Sequence, residues 1–140
     1  MKKTEIQYRV PYADTDQMGV VYYAHYLVFF ERLRNELLRD AGFPYYEIEK
    51  QGIMLPVIEA VCRYRNPARY DDMLAITGWV DEIKGAKLKI CCEVRRSGEL
   101  LAEGYTVHAC VNLKSRRPVR PPESLLALAS GKMETPENKN

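Results

Sequence analysis

An α+β domain, in which one antiparallel sheet wraps a single long helix, is predicted by three features of this 140-residue sequence. A short strand pattern comes first, then one helical stretch that is apolar over most of its circumference. Four strand-length segments follow, separated by turns rather than by further long helices. The length suits one domain, residues 1–130, able to bury about two-thirds of its unfolded surface without staples. A polar segment at 131–140 is expected to be a disordered tail.

Residues 5–10 alternate well enough for a short strand, and Pro11 suits its end or a sheet edge. The turn-rich run 12–19 contains two acids, Asp14 and Asp16, with Gly19 close behind. In the helix that follows, Tyr26, Phe30, Leu33, Leu37 and Ala41 recur at three- and four-residue intervals, with Glu31, Arg32, Asn35, Glu36 and Arg39 between them. Leu27, Val28, Phe29 and Leu38 widen the apolar stripe beyond the need of a one-sided surface helix, so protein is expected to cover most of it. Gly42 ends the helix, with Pro44 just beyond.

Another helical turn is expected over 45–51, and strands over 54–65, 73–83, 86–96 and 99–113. Gly52, Asn66-Pro67, Lys84-Gly85 and Ser97-Gly98 punctuate them. The cleanest pattern lies in 86–96, where Leu88, Ile90, Cys92 and Val94 face one way and Lys87, Lys89, Glu93 and Arg95 the other, so one face is buried and one is wet. In 99–113 the alternating apolar set is Leu101, Tyr105, Val107, Ala109, Val111 and Leu113. Residues 114–122 are basic and Pro-rich, and a short helix is expected over 122–129. A sheet covered by one helix leaves edge strands, for which pairing into a dimer or tetramer is a natural solution.

Several classes are excluded. The cysteines Cys62, Cys91, Cys92 and Cys110 form no C-x-x-C pair and have no His at ligand spacing, so reduced core thiols are expected, with no metal and no cofactor. Residues 1–5 lead into a strand without a signal-like segment, and no apolar run is long enough to span a bilayer, so a cytoplasmic protein is expected. A formal charge of +2 does not by itself imply nucleic acid.

The run Tyr12-Ala13-Asp14-Thr15-Asp16-Gln17-Met18-Gly19-Val20-Val21-Tyr22-Tyr23-Ala24-His25-Tyr26, followed by Phe29-Phe30-Glu31, resembles the signature of the hotdog-fold acyl-CoA thioesterases of the 4-hydroxybenzoyl-CoA thioesterase and YbgC-like group. The resemblance extends through the strand order and the Arg116-Arg117-Pro118-Val119-Arg120-Pro121 segment. It implies a hotdog fold, hydrolysis of an acyl-CoA or acyl-carrier-protein thioester, and CoA bound between subunits. It maps the D-x-x-G acid, nucleophile or general base, onto Asp16 followed by Gly19. The backbone N–H that polarises the thioester carbonyl maps onto Tyr23. Many YbgC-like members read Y-H-A-N-Y where this chain reads Y-Y-A-H-Y, so Tyr23 stands in place of a histidine.

The chemistry also follows from the residues. A thioester carbonyl under attack develops oxyanion charge, which N–H groups at a helix start are preoriented to receive. Asp16, nearby in sequence, would attack the carbonyl or deprotonate a water. On local pattern alone, both acids also suit a turn or a helix cap, and for Asp14 the turn role is the expectation. Tyr12 and His25 are candidate substrate contacts, with core packing or a dimer contact as the alternative. Arg116, Arg117 and Arg120 are candidate partners for CoA phosphates, with Lys84, Lys87 and Arg95 as rivals. His108 is read as structural, Glu59 and Glu31 as the alternative carboxylates, and Glu31 as an ion-pair partner of a neighbouring arginine. A hydratase or dehydratase on the same fold and a non-catalytic acyl-CoA-binding module are the competing functions.

Overall fold

The computed structural model describes residues 2–134. Strand β1 (Thr4–Arg9) passes through a 3-10 turn at Tyr12–Asp14 and a loop into helix α1 (His25–Asp40). The chain continues as α2 (Tyr45–Lys50), β2 (Ile53–Met54), β3 (Val57–Tyr64), β4 (Met73–Lys84), β5 (Lys87–Arg96), β6 (Glu99–Ala109), β7 (Val111–Asn112) and α3 (Glu123–Glu134). Five strands form one antiparallel sheet in the order β1-β4-β5-β6-β3, and β2 pairs with β7. The expected tail lies outside the described residues from 135 on, and α3 runs into its first part.

Helix α1 lies on one face of the five-stranded sheet because its stripe has nowhere else to go. Tyr26, Phe29, Phe30, Leu33, Leu37 and Leu38 are buried against Leu74, Ile76, Leu88, Ile90 and Val94 of the strands. Each fully buried Phe or Leu contributes roughly 1.5–3 kcal/mol of transfer free energy. At Gly78 the helix presses so close that an added Cβ would stand 2.2 Å from Leu33 Cδ1 and 2.9 Å from the Cys91 carbonyl oxygen. Gly42, with φ of +80°, ends α1 in a Schellman arrangement. Its N–H bonds the Arg39 carbonyl at 2.9 Å, the Phe43 N–H bonds that of Leu38 at 2.8 Å, and the two apolar side chains are buried together. The cover is incomplete on one side, where Leu27 and Val28 remain 41% and 43% exposed.

Two expectations about strands are corrected. The segment 54–65 is not one strand: it breaks at Leu55-Pro56 into β2 and β3, which belong to different sheets. Pro56 has no N–H to continue a ladder, and the Leu55 carbonyl turns inward to the His108 ring at 3.0 Å. In β6 the inward set has the opposite phase to the one expected. The register passes from Arg95↔Leu100 to Val94↔Ala102, so Leu101 is an extra residue, and beyond it Thr106 and His108 point into the core while Tyr105, Val107 and Ala109 face outward. A bulge of one residue flips every side chain after it. The segment 99–113 is also divided, because the chain leaves β6 at Cys110 and crosses to β2 as β7.

Strand β3 is an edge. Its inner neighbour is β6, no described strand pairs with its other side, and Val57, Ile58 and Tyr64 are about half exposed. The opposite edge strand, β1, leads directly to the turn that carries the candidate site.

Candidate active site

Asp16 opens a three-residue loop that closes on Gly19. The Asp16 N–H bonds the Val20 carbonyl at 2.9 Å, the Gly19 N–H bonds the Asp16 carbonyl at 3.0 Å, and Thr15 bridges Val21. Gly19 takes φ of +79°, the left-handed position that ends such loops, and open space surrounds the site of a Cβ, so its requirement is conformational. The Asp16 carboxylate is half-buried and asymmetric in its bonding. Oδ1 accepts the Met18 N–H at 2.8 Å and that of Val20 at 3.5 Å. Among the described residues no donor reaches Oδ2.

The loop returns to α1 through Tyr22, Tyr23 and Ala24. No side chain caps this helix: Ala24 is the N-cap residue, and the first turn holds no acid. Neither Asp14 nor Asp16 therefore serves as its cap. The N–H groups of His25, Tyr26 and Leu27 bond the carbonyls of Tyr22, Tyr23 and Ala24 at 2.9, 3.3 and 3.2 Å. Those of Tyr23 and Ala24 meet no acceptor among the described residues, which leaves two donors at the positive end of the helix dipole. The Tyr22 hydroxyl is held above its ordinary pKa chiefly by its hydrogen bond with Tyr23, and least by the charge of Asp16.

A cleft of about 250 Å³ opens next to the helix start, lined by Val21, Tyr23, Tyr26, Tyr64, Asn66 and Pro67 among others. Tyr64 donates its hydroxyl to the Tyr23 carbonyl at 2.9 Å and stands edge-on to Tyr26, ring centroids 5.1 Å apart. Burial, with help from Cys62, pushes the Tyr64 hydroxyl up to about 12. Sequence reasoning missed this wall of the cleft. Its only trace there was the Asn66-Pro67 turn.

Asp14, expected to shape a turn, lies in the 3-10 turn Tyr12–Asp14 and is buried there. It is only 8% exposed. Its Oδ2 accepts the Tyr8 hydroxyl at 2.6 Å, Oδ1 stands 3.4 Å from His25 Nε2, and its carbonyl accepts the Tyr22 N–H at 2.9 Å. Burial, then the bond to Asp14, pushes the Tyr8 hydroxyl up to about 12. Tyr12 is 77% exposed and packs edge-on against Tyr70, 5.8 Å between centroids.

Arg116, Arg117 and Arg120 are exposed, and no ion pair among the described residues holds them. They lie beyond β7, whose turn is fastened to Asn112 and to the Gly52 carbonyl. In this chain they stand far from Tyr23. Strand β3 begins beside His108 at Val57 and reaches the cleft only at Tyr64, a run of roughly 23 Å at about 3.3 Å per residue. Of the remaining candidates, His108 is fully buried, with Nδ1 3.0 Å from the Leu55 carbonyl and Nε2 2.9 Å from the Thr106 hydroxyl, as a structural histidine should be. Glu59 accepts from the Tyr105 hydroxyl at 3.3 Å, and the α1 ion pair joins Arg39 to Glu36 rather than to Glu31. None of the four cysteines is in a disulfide, and burial raises the thiol pKa of Cys62 and Cys110 and pushes that of Cys92 up to about 12. No helix among the described residues is long and apolar enough to cross a membrane.

The family model for the thioesterase-like superfamily matches residues 10–128. The chain is 36% identical over 121 residues, 86% of each protein, to the putative acyl-CoA thioesterase YneP of Bacillus subtilis. To the acyl-CoA thioesterase YbgC of Haemophilus influenzae it is 38% identical over 120 residues, 85% of this chain and 88% of that one. Among solved structures, the DHNA-CoA thioesterase of Staphylococcus aureus superposes with a TM-score of 0.89 at 28% identity, over 100% of this chain and 97% of that one. With an uncapped helix start beside an acid loop, and with these similarities spanning nearly its whole length, the chain belongs to the thioesterase-like superfamily and is a YbgC-like thioester hydrolase of the hotdog fold.

Proposed function

We propose that the protein hydrolyses acyl-CoA thioesters to the free acid and CoA, with Asp16 as nucleophile or general base. The observation that carries this reading is the pairing of an oriented but half-bonded carboxylate with the open Tyr23 and Ala24 N–H groups at the start of α1. Fixed donors aimed at developing oxyanion charge are usually the largest single contribution to acyl transfer. Oδ1 of Asp16 is spent on the loop, which orients the group, and Oδ2 is the atom that attacks the carbonyl carbon or takes a proton from water. Gly19 sustains the loop geometry. The tyrosine-lined cleft beside Tyr23 is the natural seat for the acyl group; Tyr12, against Tyr70, and His25, against Asp14, are not among the residues that line it.

The basic turn takes part through a second copy of the chain. Among the described residues no strand pairs with the outer side of β3, its Val57 and Ile58 are exposed, and so are Leu27 and Val28 of α1. Antiparallel pairing of β3 with its own copy would bring the Val57 end of one strand to the Tyr64 end of the other. The partner's Arg116, Arg117 and Arg120 would then approach the mouth of the cleft, where CoA phosphates need cations. A homodimer, or a dimer of dimers, with CoA at the subunit boundary follows from this.

Release of thiol from a panel of acyl-CoAs and an acyl-carrier-protein thioester tests the activity and ranks the acyl groups. Sedimentation tests the assembly. Absence of turnover on every thioester would overturn the first reading, and a species of only ~16 kDa at micromolar concentration the second.

A further inference from the structure

We infer that Tyr8, Asp14 and His25 form a positioning tether that holds the start of α1 in place of a cap, so that its first N–H groups stay open to substrate. The inference rests on the reading of those N–H groups as the oxyanion site.

The start of α1 has no side-chain cap and is exposed at Tyr22, Tyr23 and Ala24, so no bond to its first N–H groups fixes its direction and another contact has to. Here the usual solution, an acid or hydroxyl accepting from the first N–H groups, would occupy the donors that the reaction needs. Asp14 instead takes hold of the first turn from the side. Its carboxylate reaches His25 Nε2 at 3.4 Å, its carbonyl receives the Tyr22 N–H at 2.9 Å, and the Tyr8 hydroxyl at 2.6 Å anchors the same carboxylate to β1. Three segments, the edge strand, the acid loop and the helix, thus meet at one carboxylate that is almost wholly buried.

Charge supports the assignment. An anion beside the first turn of a helix is favoured by the helix dipole, and Asp14 stands there, facing His25 Nε2 at 3.4 Å. The other charge on the cluster is Arg32, whose guanidinium lies over the Tyr8 ring at 5.0 Å. Asp14 and Asp16 are separated by Thr15 alone, so any slip of Asp14 shifts the catalytic carboxylate and the N–H donors relative to each other. Misplacement of about 1 Å can cost up to ~100-fold in rate. His25 and Asp14 are positioning residues, acting through Asp16 and the Tyr23 N–H.

The experiment measures kcat and KM for an acyl-CoA, together with thermal stability, in His25→Ala, His25→Gln, Asp14→Asn and the double variant His25→Ala/Asp14→Asn. The expected result for His25→Ala is a fall in kcat of about 10- to 100-fold with KM changed by no more than about twofold. His25→Gln, whose Nε2 can donate to Asp14 from a similar reach, recovers most of that loss. The double variant is no slower than the slower single one, since both remove the same tether. Wild-type kcat in His25→Ala, no recovery in His25→Gln, or losses that simply add would overturn the tether. Should Asp14→Asn fail to fold, the two His25 variants decide the matter alone. An Asp16→Asn control separates the two readings: full activity there would remove the catalytic reading itself, whereas an inactive Asp16→Asn beside a normal His25→Ala would remove only the tether.

Discussion

His108 lies fully buried beneath α1 with both ring nitrogens bonded, to Thr106 and to the Leu55 carbonyl. At the rim of the same face of the sheet, among the described residues, Asp16 leaves one carboxylate oxygen without a donor and the helix start leaves two N–H groups without an acceptor. The His108 ring has already made its bonds, so it contributes order and no chemistry, whereas Asn35 Oδ1 is buried without a partner among the described residues. At the rim, Asp16 is oriented through Oδ1 and keeps Oδ2 for another donor, and the two N–H groups are held in place by the backbone with their one bond still to make. Incomplete satisfaction near solvent costs little, because water fills the vacancy until a substrate does; the same vacancy in the core would cost about 1–3 kcal/mol. The two regions therefore respond differently to substitution.

The largest expected effect is at the rim. Replacing Asp16 with Asn keeps an acceptor for the Met18 N–H while removing the charge of Oδ2, so kcat is expected to fall by about 10²–10⁴-fold with the melting temperature nearly unchanged. Asp16→Ala should lose as much activity and some loop order. Wild-type rates of thiol release in either variant would end the assignment.

The interior makes the converse prediction, an effect on stability that depends on pH. Burial, opposed only in part by the bond to Leu55, pushes the His108 pKa from its ordinary 6.5 down to about 4. Between those values the unfolded chain binds the proton and the folded chain does not, so stability is intact above 6.5 and declines as pH falls toward 4. Urea unfolding should lose about 2–3 kcal/mol between pH 7 and pH 4.5 from this group. His108→Asn should flatten that part of the curve; an unchanged slope would show that His108 does not carry it.

A smaller effect follows from close packing. At Gly78 a methyl group meets Leu33 Cδ1, which can swing, and the Cys91 carbonyl, which cannot. Gly78→Ala is expected to cost about 1–3 kcal/mol in denaturant unfolding while kcat stays within about threefold, because Leu33 is two turns from the helix start. A loss of activity larger than the loss of stability explains would mean that the interior and the rim are coupled more tightly than their bonding suggests.

What could be read from sequence follows the same division between local and distant causes. The α1 stripe, its stop at Gly42 and the two faces of β5 are periodicities, visible in a dozen consecutive residues. The Asp16 to Gly19 loop was legible because an acid and a left-handed glycine three residues apart form a local turn. The phase of β6 was not, since one bulged residue at Leu101 leaves no mark in composition yet inverts everything after it. Nor was Tyr64 beside Tyr23, a contact between positions 41 residues apart. Asp14 looked like a turn former because its partners, Tyr8 on a strand and His25 on a helix, become neighbours only when the sheet edge folds against the helix start.

The smallest effect, and the most selective, concerns the basic turn. Arg116, Arg117 and Arg120 are exposed and unpaired among the described residues, so their removal should leave stability untouched. They stand at the far end of β3 from the cleft of their own chain, so an influence on catalysis would have to reach the site through a second copy. If they hold CoA phosphates, the Arg116→Ala/Arg117→Ala variant should raise KM for an acyl-CoA by about 3- to 10-fold and weaken its salt dependence. Its kcat should not change, and neither should hydrolysis of a small thioester that carries no phosphate, because that substrate uses Asp16 and the helix start alone. Equal changes for the two substrates would remove the turn from the site. A change confined to acyl-CoA and lost on dilution to monomers would assign the arginines to the neighbouring chain, since a site complete in one chain has no reason to depend on concentration.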